Sequence, residues 1–558
     1  MRRTLLTLLL AILAITAKSQ TVNGIYYYKL DDSHVSVVVE EEWDSESGTM
    51  ISHYYKGALT IPSSVEIDSK TYTVTRVNLY GCSELTSVSL PNTLEEIAES
   101  GFSGCSSLTG VTLPSSLKKI GRFAFQSCDN LQELTIPASV QEIGINAFCT
   151  FSDKFQKLTI TDLAAWCNIE MGGLLFTDGT VYLNDKQLTD LVIPENVKII
   201  KPYVFCGFKD ITSVHIPANV DSIGYNAFLG CTSITKVSAD DVVSWCGIHF
   251  GPTSLLNTGN PLNLSNPVFY SENLYIGGSS ISELTIPEGV DSIGSCAFIN
   301  IKSLTKVSLP STLKYVGPNV FQECTNLRLA DVSSIQDYCQ IEFASLYSNP
   351  FQDYIKNRAF TWMLVNGNYV HDGNRVLCIP DGITEVKANS FANVDPTETV
   401  VIPSSVTKIG INAFRNSVTN KFHTLCIKGH IAEMGEYAFG SCPFISTIYM
   451  EDENPSAIPD NTFTNFYVPS TGSLGADYNY KHTKLMVPTG TKAKYESTDG
   501  WKLFENIEEY DVTAVRNAGM TNAVTTQYTL DGRLAGPDYK GIVLERMPDG
   551  TVRKSIRK

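Results

Sequence analysis

The chain is predicted to fold as a mostly β solenoid with a concave parallel sheet, short convex turns and a few short insert helices. Three observations carry that prediction. Proline recurs with Phe eleven residues later at Pro91, Pro114, Pro137, Pro194, Pro217, Pro287, Pro310, Pro380 and Pro403. The nearest of these prolines stand 23 residues apart, and self-similarity at a short fixed period marks units that bury their apolar faces only by stacking on one another. The residues before each proline alternate apolar and polar, which is the period of a half-buried strand.

At the N-terminus, Arg2 and Arg3 precede an apolar run from Leu5 to Ile15, and Ala17, Lys18 and Ser19 precede Gln20. This order of charge, short apolar core and small residues is that of a secretory signal peptide. The run is too short to span a bilayer as a helix, so no transmembrane anchor is expected.

The repeat itself is shown whole by Leu131, Leu134, Ile136, Pro137, Val140, Ile143, Ala147 and Phe148. Leu, Val and Thr dominate the segment before proline and favour a strand, which proline ends because its ring has no N–H for a ladder. Gly121, Gly144, Gly224, Gly294, Gly317 and Gly410 each lie seven residues after a proline. They are expected to supply unusual dihedrals in the turn to the convex side. Stacking such units would place a ladder of phenylalanines inside.

A longer period overlies the first, since Pro137 to Pro217 is 80 residues and the next two intervals, to Pro310 and Pro403, are 93 each. Each larger module carries an insert, at Asp162–Ile169, Asp240–Ile248 and Ser333–Ile341. Asp or Ser followed by apolar residues at helical spacing predicts an N-capped short helix. Asn260-Pro261 and Asn349-Pro350 are expected to turn the chain toward a further strand. Trp166, Trp245 and Tyr338 within the inserts read either as anchors holding each insert to the solenoid or as platforms for sugar rings.

The period lies within the range of about 20–29 residues of leucine-rich repeats. With Ile-Gly-x-x-Ala-Phe-x-x-Cys at Ile120–Cys128 and Ile223–Cys231, the units resemble the BspA-like leucine-rich repeats of secreted and surface proteins from Gram-negative anaerobes. Tyr55-Lys56-Gly57 with Ile61-Pro62, and Val487-Pro488-Thr489-Gly490-Thr491 with Gly500-Trp501, resemble the caps of that family. The organisation expected is therefore a signal peptide over 1–19, an N-terminal cap over 20–75, leucine-rich repeats over 76–442, a C-terminal cap over 443–510 and a tail over 511–558. The tail holds eight Lys/Arg against five Asp/Glu and resembles sorting signals at the ends of exported proteins in the same bacteria; a capping hairpin is the other reading. Asp221-Ser222-Ile223 and Asp291-Ser292-Ile293 resemble an O-glycosylation acceptor of those organisms.

Charge excludes one class of partner. Without the first nineteen residues and the tail, the body carries 31 basic against 53 acidic residues, a net −22. Such a surface repels phosphate backbones, so no nucleic acid partner is expected. Fourteen cysteines in an exported chain would permit disulfides. Yet Cys82, Cys105, Cys128, Cys231, Cys324 and Cys442 share a repeat slot that Phe151, Phe208, Ile301 and Val394 fill elsewhere, which points to free core thiols. Cys167, Cys246 and Cys339 stand alone, the eight histidines show no ligand spacing, and no Gly-x-Ser-x-Gly elbow occurs. No metal, no cofactor and no catalysis are expected.

The default binding surface is then the outward face of the concave strands, with Glu133, Lys157, His215, Lys236, Glu283, Lys306 and Tyr449 as its charged, imidazole and aromatic members. Small hydroxyl residues such as Thr135, Thr159, Ser213 and Ser238 fill in around them, making a shallow polar sheet rather than a pocket. The resemblance implies a secreted or cell-surface adhesion protein with a protein or glycan ligand. A polymer-degrading hydrolase and an envelope scaffold are the alternatives, the first requiring paired acids or a nucleophile–base set.

Overall fold

The computed structural model describes residues 19–44, 47, 49–148, 154–173, 179–251, 265–351, 361–370, 376–394, 398–415, 422–465 and 475–513, with the strands Gln527–Thr529, Gly541–Arg546 and Val552–Arg557. The expected signal peptide lies outside these residues except for Ser19. The chain forms two compact units, Met1–Ser280 and Ile281–Lys558. Both are β-solenoid.

In the first unit the strand Glu133–Ile136 pairs in parallel with Lys157–Ile160, Glu133 opposite Lys157 and Ile136 opposite Ile160. Its side chains alternate exposed and buried, so Leu134 and Ile136 enter the core while Glu133 and Thr135 face out. Six residues after proline, where a plain convex turn is expected, the chain instead makes a second parallel ladder of two-residue strands: Glu96–Ile97, Lys119–Ile120, Glu142–Ile143 and Glu170–Met171. Ile97, Ile120 and Ile143 are buried, and Met171 at the end of the ladder is half-buried. Ser222 and Ser292 open strands of the same kind.

The glycines after this ladder do not serve the purpose predicted for them. Gly121, Gly144, Gly224, Gly317 and Gly410 have no left-handed φ, but a Cβ on Gly144 would lie 2.4 Å from the Arg122 backbone nitrogen, and on Gly410 2.5 Å from that of Ala388. They are glycines because the backbone of the preceding turn leaves no room. The left-handed conformation comes two residues later, at Asn146, Asn226, Asn319 and Asn412, with φ of 53–60°, and Asn tolerates it better than most side chains.

Phenylalanines eleven residues after proline stack face to face. Phe102, Phe125 and Phe148 have centroids 5.3 and 5.8 Å apart, Phe205 and Phe228 are 5.3 Å apart, and in the second unit Phe391 and Phe414 are continued by Phe439 and Phe463, which no proline precedes at that spacing, at 5.2–5.3 Å. The neighbouring cysteines are buried free thiols. Cys105, Cys128, Cys231, Cys324 and Cys442 donate to a carbonyl of the preceding turn, as Cys128 does to Phe102 at 3.1 Å and Cys231 to Phe205 at 3.0 Å, whereas Cys82 Sγ accepts the Tyr55 N–H. Burial pushes the Cys128 thiol up to about 12.

Hairpins, which the sequence reading did not anticipate, interrupt the outward sheet. The first unit has one sheet ordered 133–136, 157–160, 180–183, 186–187 and another ordered 190–192, 213–216, 236–239, 274–276, 279–280. The second unit has 283–285, 306–309, 329–332, 362–365, 368–369. In each the last pair is antiparallel. Gly277-Gly278 and Asn366-Gly367 have positive φ at both central residues, the requirement of a tight hairpin turn that follows the strand twist.

The inserts are short helices, Leu163–Cys167, Val242–Gly247 and Ile335–Tyr338, capped by Asp162, Asp241 and Ser334. In the last two the cap is one residue later than predicted. Trp166, Trp245 and Tyr338 are fully buried; the Trp166 indole donates to the Val204 carbonyl at 2.7 Å and the Tyr338 hydroxyl to that of Ser390. They are anchors, and no sugar can reach their faces. Buried Asn349 donates to the carbonyls of Asn389 and Ala392. Its counterpart in the preceding module is Asn266 before Pro267, which accepts the Val268 N–H at 3.0 Å; Asn260-Pro261 lies outside the described residues.

At the start, the antiparallel strands Gln20–Val22, Ile25–Lys29 and His34–Val38 join Lys70–Asn78, which continues into the second ladder. Toward the end of the second unit, Trp501 and Phe504 close the phenylalanine stack at 6.0 and 5.3 Å from Phe463. The tail strands form an antiparallel sheet of their own.

Candidate functional site

The outward rows of the sheets hold all seven residues predicted for binding, distributed over four sheets. Glu133 and Lys157 are register partners, as are Glu283 and Lys306. His215 faces Ser238 on the strand that also carries Lys236. Tyr449 lies in a separate sheet, between Cys426 and Met486.

Around each group the fold adds residues the sequence reading passed over, above all an outward aromatic on the parallel strand that precedes each hairpin. Lys157 Nζ stands 4.7 Å from the Tyr182 ring centroid, and Lys236 Nζ stands 5.3 Å from that of Tyr275. Such cation–ring contacts hold a long side chain flat against the sheet. Beside Tyr275, His215 Nδ1 is 3.1 Å from the Ser238 hydroxyl and its Nε2 is 3.3 Å from Asp240 Oδ1. Asp240 in turn accepts the Ala218 N–H at 2.9 Å. The result is a tethered row of donors and acceptors.

In the second unit the register position of Tyr182 and Tyr275 holds buried Leu364, and the exposed aromatics are instead Trp362 two residues earlier on that strand, 38% exposed, and Tyr369 on the hairpin strand, 55% exposed. Their rings meet edge to face at 5.5 Å. Next to them Lys306 pairs with Asp331 at 3.0 Å, and the other Asp331 oxygen accepts the Gly367 N–H of the hairpin turn at 2.9 Å. This is an open corner of two ring faces beside an immobilised carboxylate and ammonium. It can hold a ligand that offers a flat apolar face and hydroxyl or amide groups at its edge.

The sheet containing Tyr449 differs in character. Its outward row runs Cys378, Val401, Cys426, Tyr449, Met486, Glu508, and Tyr449 packs edge to face on Tyr510 at 5.5 Å. Cys378 and Cys426 are half-buried there rather than in the core slot. Burial pushes the Cys426 thiol up to about 11 against the opposing pull of Lys428, which keeps the thiolate fraction small at physiological pH and makes it a slow nucleophile. Among the described residues no cluster of His, Cys, Asp or Glu could hold a metal ion.

The aromatic ledges had a sequence signal: the hairpin turns Gly277-Gly278 and Asn366-Gly367 place Tyr275 and Trp362 on short strands. The Asp331 and Asp240 contacts had none, because they join residues from different turns.

The profile described as BspA type leucine rich repeat region matches in six copies over residues 52–166, 179–250, 270–363 and 374–471. Among solved structures, the chain is similar to a leucine-rich repeat protein from Bacteroides ovatus, with 17% identity, 74% of this chain and 92% of that one covered, and a TM-score of 0.35. It is also similar to a leucine rich cell surface protein from Faecalibacterium prausnitzii, at 21% identity over 75% of this chain and 94% of that one, TM-score 0.31. A third is the pneumococcal vaccine antigen PcpA, at 16% identity over 89% and 99% of the two chains, TM-score 0.30. No curated protein matches the chain.

Proposed function

The chain belongs to the BspA-type leucine-rich-repeat family, and we propose that it is an exported or surface-displayed binding protein that adheres to protein or glycan ligands through the outward sheet faces. One observation carries this reading: an outward aromatic beside a tethered polar group at the hairpin end of three sheets, at Tyr182, Tyr275 and the Trp362–Tyr369 corner. A core requirement does not explain the exposed rings of Trp362 and Tyr369 or the half-exposed ones of Tyr182 and Tyr275, whereas recognition does, since large aromatics supply contact area at low entropic cost. Glu133, Lys157, His215, Lys236, Glu283, Lys306 and Tyr449 are the proposed polar surroundings. These faces are shallow and open, which suits a broad ligand more than a small metabolite.

Export rests on the N-terminal charge and apolar pattern. No helix among the described residues is long and apolar enough to cross a membrane. The tail sheet is proposed as a sorting element, and residues 20–75 and 443–510 as the caps of the array.

The test is a binding screen of the mature chain against extracellular-matrix proteins and a glycan array, repeated with Trp362→Ala and Tyr369→Ala. Binding that falls at least tenfold in either variant, with an unchanged thermal melt, supports the reading. Uniform absence of binding by a folded protein refutes it.

A further inference from the structure

A nucleophile–base–acid set lies away from the outward sheet rows, in the turn that follows the strand Thr447–Met450. Asp452 Oδ2 is 2.9 Å from His430 Nδ1, and His430 Nε2 is 3.3 Å from Ser456 Oγ. The three sit on two successive turns of the solenoid, and no short motif links them in sequence.

Each member has the surroundings its role requires. Asp452 is buried; its Oδ1 accepts the Asn454 N–H at 2.9 Å and its carbonyl accepts the Tyr495 hydroxyl at 2.8 Å, so the acid cannot swing away. A carboxylate only accepts, which assigns the imidazole proton to Nδ1 and leaves the Nε2 lone pair facing the serine hydroxyl. The His430 ring is half-exposed, and Ser456 is partly exposed. The Ser456 carbonyl accepts the Trp501 indole N–H at 3.0 Å, which holds the nucleophile's backbone, while Lys494 ties the turn by donating to the Glu453 carbonyl and Asn454 Oδ1. Among the described residues the Ser456 hydroxyl has no partner but His430, and the N–H groups of Ser456 and Ala457 donate to nothing. Unengaged donors at and just after the nucleophile are what an acyl oxyanion needs.

Ser33 and Asp31 both meet the same nitrogen of His34 and so form no relay, and the contact Ser238–His215–Asp240 lacks these features too. Ser238 Oγ also points at the Val214 carbonyl at 3.4 Å, and Ser238 sits in a strand paired on both sides, whose N–H the ladder consumes.

We propose that Ser456, His430 and Asp452 form an acyl-transfer site that hydrolyses esters of short carboxylic acids. Ser456 Oγ bonds to the acyl carbon while its proton passes to His430 Nε2; the ester C–O bond breaks and the alcohol departs with that proton. Water then adds to the acyl-serine with His430 as base, releasing the carboxylic acid and restoring the serine. Asp452 holds the ring and stabilises the imidazolium. The exposed histidine leaves no deep wall for a long acyl chain, which is why a short one such as acetyl is the substrate class. This activity is independent of the binding reading.

The test treats the mature chain with a fluorophosphonate probe and, separately, with p-nitrophenyl acetate. The expected result is probe attached at Ser456 by peptide mapping, and p-nitrophenol release at least tenfold above that of Ser456→Ala. His430→Ala should slow labelling by a similar factor. Thermal melts show whether each variant is folded; Ser456→Ala removes a single hydroxyl, and its melt should equal the parent's. Absence of label on Ser456, labelling that persists unchanged in folded His430→Ala, or release equal to that of Ser456→Ala overturns the proposal.

Discussion

Phe125→Ala should lower the stability of the first unit by about 3–5 kcal/mol, the range for removing a fully buried ring. Phe125 has no exposed surface and stacks between Phe102 at 5.3 Å and Phe148 at 5.8 Å. Each ring pair accounts for about 0.5–1.5 kcal/mol of that loss, and the rest is apolar area returned to water together with a cavity the rigid backbone cannot close. The ladder of two-residue strands before the ring holds neighbouring turns in register, so relaxation by collapse is opposed. Because stability in such an array is a sum of nearest-neighbour terms, the damage falls on the two interfaces the ring bridges. Urea unfolding followed by far-ultraviolet circular dichroism should show the transition shifting or splitting, with Phe125→Leu losing roughly 1–2 kcal/mol as a smaller core deletion. A loss under about 1 kcal/mol for Phe125→Ala, the centre of the distribution for ordinary substitutions, would refute the claim that this stack carries the core.

Gly144→Ala should cost about 1–3 kcal/mol by overpacking, since its Cβ would meet the Arg122 backbone at 2.4 Å; a melt equal to the parent's would mean the turns can separate freely. Cys378 and Cys426 should react with a thiol reagent in the native state while Cys105, Cys128 and Cys324 react only after unfolding, and Cys426 should react faster with each rise in pH up to about 11; equal labelling of all thiols would contradict the burial pattern. The core thiols bind protons more tightly folded than unfolded, so their contribution is complete below about pH 9 and is lost as pH climbs toward about 12, the value to which Cys128 and Cys324 are pushed; thermal melts across that window should fall, and Cys128→Val should blunt the fall. Deleting residues 511–558 should leave the melt unchanged, because Trp501 and Phe504 already cover the stack, while the chain accumulates in the periplasm; unaltered surface delivery would remove the sorting role.

The architecture was legible in the sequence because a repeat writes each of its contacts many times over. Nine prolines with their phenylalanines announce a strand, its end and a core ring at a fixed interval, and stacking is then the only way to bury them. The insert helices and their buried Trp166, Trp245 and Tyr338 followed from capping residues and spacing, with errors of one position at two caps.

What tertiary structure alone decided were matters of distance between turns. The glycines seven residues after proline look like dihedral glycines in one dimension, and only the approach of the preceding backbone shows that space is what they provide. The Trp362–Tyr369 corner depends on a hairpin folding a strand back beside its neighbour, and Asp331 reaches both Lys306 and the hairpin turn through pairing across three strands. Ser456, His430 and Asp452 meet because one solenoid turn lies on the next, bringing a histidine within hydrogen-bond reach of residues more than twenty positions later. Periodicity along a chain specifies which residues face in and which face out; side-chain chemistry between rungs depends on angstrom-scale register, which the sequence expresses only after it has folded.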